Sequence, residues 1–127
     1  MGLEEKRKAK EIQDVLIPKF VLEIKNTVGA DVTVDVAWDS FQTVKALESI
    51  ESAVVQETMT SLKELGKDEF GKDALKGYLK KISIKSIPDY NNNNIYAKDG
   101  VLYFEEEFGG GSYVGDWKIT EVLTKAL

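Results

Sequence analysis

The chain contains no histidine and no cysteine, and Arg7 is its single arginine. Without imidazole it lacks the side chain that most often moves protons near neutral pH. Without thiols it has no disulfides, no thiolate nucleophile and none of the sulfur and imidazole donors that build zinc sites. A Ser-His-Asp triad and a Cys-His pair are both excluded. One arginine leaves little scope for the bidentate grip that recognises phosphate. Prolines number two, Pro18 and Pro88, and no apolar run approaches the length of a membrane span.

What is present reads as one α+β domain over residues 1–127. A chain of 127 residues buries roughly two-thirds of its unfolded surface and needs no covalent or metal staple. Twenty-two acidic residues face 17 basic ones, a net charge of -5. The densest basic run, Lys6 to Lys10, stands among Glu4, Glu5 and Glu11. That interleaving reads as a solvated helix end and argues against the basic face of a nucleic-acid binder. The first residues are too charged for a signal peptide, and the lack of cysteine fits the cytosol. A cytoplasmic protein with no membrane contact is therefore expected. Lysine bias and an asparagine run point to an AT-rich bacterial genome.

Hydrophobic spacing sets the expected elements. A helix from Leu3 carries Ile12, Val15 and Leu16, kinks or splits at Pro18, and continues with Phe20, Val21, Ile24 and Val28 to a Gly29 stop. Val32 to Trp38 alternates as a strand, which turns Asp35 away from the core. Asp39 and Ser40 are candidate caps for a long helix, Phe41 to Leu65. Asp68 caps another helix, whose stripe includes Phe70, Leu75, Tyr78 and Leu79. Ile82–Ile87, Ile95–Lys98 and Val101–Phe108 read as strands, the last two joined by an Asp99-Gly100 hairpin turn. A glycine-rich connection, Gly109 to Gly115, leads to a closing helix capped by Asp116. The order is α-α-β-α-α-β-β-β-α. It implies a two-layer sandwich, with helices on one face of a mainly antiparallel sheet of about four strands.

Candidate chemistry is confined to carboxylates, polar turns and aromatics. Asp35, Glu105 and Glu107 share the outward side of the strands, where converging carboxylates would act as an acid/base pair or hold a hard cation. They also give the sheet an acidic face suited to a basic partner. Glu106 is anomalous: alternation turns it inward between Phe104 and Phe108, where an unpaired carboxylate is costly. Asp89, Asn91 and Asn93 match the first three ligand positions of a calcium loop. The remainder of that pattern fails, so an asparagine-stabilised turn is the simpler reading. The glycine connection fits no phosphate-binding spacing. Tyr113 and Trp117 lie in or beside it, with the large rigid area typical of interface anchors.

These features favour a non-catalytic protein-binding module without a cofactor, of the inhibitor, immunity or adaptor type. Its binding residues would be Asp35, Glu105, Glu107, Tyr113 and Trp117. The alternatives are a carboxylate- or metal-dependent hydrolase and a structural subunit of a homo-oligomer.

Overall fold

A computed structural model describes residues 1–110 and 114–127. Helices cover one face of a four-stranded mixed sheet, the two-layer α+β arrangement expected from the element order. The first helical rod comprises α1 (Leu3–Glu11), a π-helical turn (Ile12–Leu16) and α2 (Ile17–Val28). The backbone stays helical through this stretch, and a new α-helical segment starts at Ile17, just before Pro18. A proline inside an α-helix lacks an amide donor and clashes with the carbonyl four residues back. The wider π turn immediately before it takes up that conflict, and Pro18 sits in the first turn of α2. Gly29 then closes the rod at φ +79°, in the left-handed region where glycine is unstrained.

β1 (Thr33–Val36) is followed by a 3₁₀ turn over Trp38–Ser40. The second rod is α3 (Val44–Ile50), a π turn (Glu51–Gln56) and α4 (Glu57–Leu65). Its cap is Thr43, not Asp39 or Ser40: Thr43 Oγ1 accepts from the Ala46 amide at 3.0 Å. Ser40 is otherwise engaged, donating to the Ala37 carbonyl and accepting from the Ser86 amide. Thr43→Ala is expected to cost about 1 kcal/mol of stability, read as a lower urea midpoint at unchanged slope. α5 (Glu69–Tyr78) is capped by Asp68, as its sequence predicts. Phe70 departs from its expected stripe and is 85% exposed. Val15, expected in the stripe of the first rod, is also exposed.

The remaining elements are β2 (Lys81–Ser86), a 3₁₀ turn (Tyr90–Asn92), β3 (Asn94–Lys98), β4 (Val101–Glu106), a 3₁₀ turn (Phe108–Gly110) and α6 (Asp116–Ala126). Asp99 and Gly100 take φ +52° and +83° in the β3–β4 hairpin, the signature of the turn their sequence predicts. The sheet order is β1-β2-β4-β3. Only β3–β4 is antiparallel; β1–β2 and β2–β4 are parallel. The expected mainly antiparallel pairing is thus corrected. β3 passes to the far side of β4 and leaves β4 beside β2, a placement that residue alternation does not encode.

The core lies between sheet and helices. Phe20 and Ile24 from α2, Leu47 and Ile50 from α3, and Leu62 from α4 meet Ile82 and Ile84 of β2 and Leu102 and Phe104 of β4. Ile119 and Leu123 of α6 complete it. No helix among the described residues is long and apolar enough to cross a membrane.

Candidate functional site

The open face of the sheet does not gather its carboxylates. Register places Asp35 beside Ser83 and Ser83 beside Tyr103, with Glu105 two residues further along β4. Two strand spacings and two residue rises separate the Asp35 and Glu105 backbones by roughly 12 Å. Asp35 lies 3.6 Å from the Lys81 ammonium. Glu105 accepts from the Tyr96 hydroxyl at 2.8 Å, which raises the Tyr96 pKa because the phenolic proton is held by a carboxylate. Tyr96 stacks directly on Tyr103, its partner in register, with ring centres 4.5 Å apart. Strand alternation also turns Lys81, Lys85 and Lys98 onto this face. The face therefore carries mixed charge, contrary to the acidic surface expected from its glutamates.

Asp89, Asn91 and Asn93 form a turn. Asp89 Oδ1 accepts from the Asn91 amide at 2.9 Å, and Asn93 Oδ1 accepts from the Glu107 amide at 2.7 Å. Among the described residues, no group of three or more acidic side chains is placed to hold a metal ion.

The run Glu105-Glu106-Glu107 sends its three carboxylates to three different places. Glu105 faces outward, as above. Glu107 stands just past β4 and accepts from the Gly110 amide, closing the 3₁₀ turn that follows the strand. Beside it, at the carboxyl ends of β1, β2 and β4, is an open cleft of ≈ 400 Å³ lined by Ser40, Gln42, Thr43, Pro88, Glu107 and Gly109 among others. The hydroxyls of Ser40 and Thr43 and the Gln42 amide are already bonded to backbone. The cleft thus offers shape and one carboxylate edge.

Glu106 enters the core with none of its surface exposed. Its Oε2 accepts from the Val114 amide at 2.7 Å; its Oε1 has no hydrogen-bond partner among the described residues. Loss of hydration is the largest influence on it and raises its pKa to about 7. The Val114 amide pulls the other way by favouring the anion, and nearby Glu57 raises the pKa further. Hydration loss outweighs the amide because one donor cannot replace a carboxylate's full water shell.

Glu57, at the start of α4, accepts from the Asp116 amide at 2.7 Å. The cap position of α6 is Gly115, and Asp116 is the first helical residue. The expected capping role of Asp116 is therefore corrected: a carboxylate from another helix satisfies the exposed donor at this terminus. Val114 and Asp116 are thus held through two carboxylates, one from β4 and one from α4. Immediately after them Trp117 projects with 61% of its surface exposed. Tyr113, the other aromatic singled out from the sequence, lies outside the described residues.

Sequence alternation found Glu106. It missed Glu57, which lies 59 residues from the amide it holds and gives no local signal of that role. Comparison with protein-family models, with curated proteins and with solved structures finds no match.

Proposed function

We propose that this chain is a non-catalytic protein-binding module of the inhibitor, immunity or adaptor type, and that it engages its partner through the start of α6 with Trp117 as anchor. The observation supporting this reading is an exposed tryptophan on a helix start fixed from two sides. A large aromatic held on a rigid base loses little freedom on binding, which is the economy of an interface hot spot. Asp116 and Glu57 lie beside it, so complementary charge favours a basic partner. Asp35 and Glu105, already engaged by Lys81 and Tyr96, contribute at most to the rim.

The test is affinity capture from the native host with the tagged chain and with Trp117→Ala. One dominant protein is expected with the native chain. The variant is expected to bind it at least 30-fold more weakly, since hot-spot truncations cost about 2 kcal/mol or more. Equal affinity of both chains for the captured protein would refute the anchor. Recovery of the bait alone would count against the module reading. Light scattering on the purified chain addresses the oligomeric alternative: a stable dimer dissociated by Trp117→Ala makes the partner a second copy.

A further inference from the structure

Glu106 and Glu57 meet at the base of α6 from different elements, β4 and α4. Each is bonded there to a backbone amide of the same short stretch, Val114 and Asp116 respectively. Among the described residues, Glu57 is the charged side chain whose field bears on Glu106. Among the described residues, no cation acts on Glu106 to compensate. Across the sheet, β2 places Ser86 in register with Glu106. On β4 itself, Glu105 faces outward to Tyr96 and Glu107 turns to Gly110. The charged residues of the first turn of α6, Asp116 and Lys118, exert no resolved pull on Glu106. A proton on Glu106 is therefore the simplest way for its carboxyl to remain buried beside Glu57. When Glu106 ionises, its charge is left in a site stripped of water near the half-buried Glu57, and its Oε1 has no donor among the described residues. That oxygen is shielded from solvent, so hydrating it requires the packing around it to open.

We propose that Glu106 and Glu57 form a pH-sensitive latch on the start of α6, closed while Glu106 holds a proton and loosened when it ionises. Geometry makes the latch specific, since both amides it holds lie within the three residues before Trp117. As a regulator of docking it rests on the reading of Trp117 as anchor. The latch itself does not, and neither does its test.

The experiment is a pH titration of the native chain from 5.5 to 8.5 by NMR, following the Glu106 side-chain carboxyl carbon, the Trp117 indole N–H and amide-exchange protection at Val114 and Asp116. The carboxyl signal is expected to titrate near neutrality. The indole signal should shift with the same midpoint, and protection at both amides should fall at least tenfold above it. Glu106→Gln should abolish the indole transition, and Glu57→Gln should move the Glu106 midpoint to lower pH. A Glu106 carboxyl that titrates in the ordinary glutamate range would overturn the proposal. So would unchanged protection across its titration, or an indole transition that survives Glu106→Gln. If Glu106→Gln fails to fold, the carboxyl and amide measurements on the native chain still decide. None of these readouts needs a partner. A failed latch therefore leaves the Trp117 docking result standing, and a failed docking result leaves the latch standing.

Discussion

Replacing Phe108 with alanine is expected to destabilise the fold by about 3–5 kcal/mol, the range for deleting a fully buried aromatic ring. Phe108 is the last inward-facing residue of the series Phe104, Glu106, Phe108, and none of its surface is exposed. Its ring stacks on the equally buried Phe41 with centres 5.3 Å apart. Its carbonyl lies 3.4 Å from the Ser49 hydroxyl of α3, which donates more closely to the Lys45 carbonyl at 3.0 Å. Phe41 lies between the 3₁₀ turn and α3, where backbone turns restrict how far the walls can close over a void. The upper half of the range is therefore expected. Urea unfolding checks it: the midpoint should fall sharply while the slope stays constant. A loss below about 1 kcal/mol would mean that the ring contributes little packing. A second readout follows from position. Opening space two residues from Glu106 admits water toward its carboxyl and should lower its pKa from about 7 toward the ordinary glutamate value.

What the residues announce in advance is local. Gly29, Asp68 and the Asp99-Gly100 turn act through their own backbone or that of close neighbours, and the structure places each in its expected role. Period-two alternation likewise turns Glu106 inward and Asp35 outward, because the two faces of a strand are fixed by its pleat. The features that escaped are set by distant chain. Parallel pairing of β2 with β4 depends on where β3 is carried. Phe70 fits a helical stripe by spacing, yet it is exposed. The two candidate caps before α3 yield to Thr43, since Ser40 is drawn away by the Ser86 amide 46 residues on. The candidate site divides in the same way. Its unusual carboxyl was legible from alternation with two phenylalanines. Its partner Glu57 was not, because a glutamate at a helix start is ordinary until another helix docks its first amide against it.

That carboxyl should also dominate one part of the stability profile. Glu106 titrates near 4.5 when unfolded and at about 7 when folded. Between those values the unfolded chain has already lost the proton that the folded chain keeps. The folded state therefore binds more protons, and stability falls as pH rises. The penalty is absent well below pH 4.5 and complete above about pH 7. This is opposite to the usual carboxylate contribution, seen here in Glu121, whose pKa is lowered first by its hydrogen bond from Lys125 and then by the charge of Lys118. Such groups are common to the native chain and to Glu106→Gln, so the difference between the two isolates Glu106. Going from pH 5 to pH 8, the native chain is expected to lose about 2–3 kcal/mol relative to Glu106→Gln, at 1.36 kcal/mol per pKa unit. Glutamine still leaves a polar atom at the unpartnered position, so the variant can be the less stable of the two at pH 5. The comparison across pH remains informative because that cost is the same at both ends. Urea denaturation of both proteins at the two pH values measures it. Parallel stability profiles would mean that the Glu106 carboxyl is hydrated in the folded protein, and the buried charge at the base of α6 would lose its physical basis.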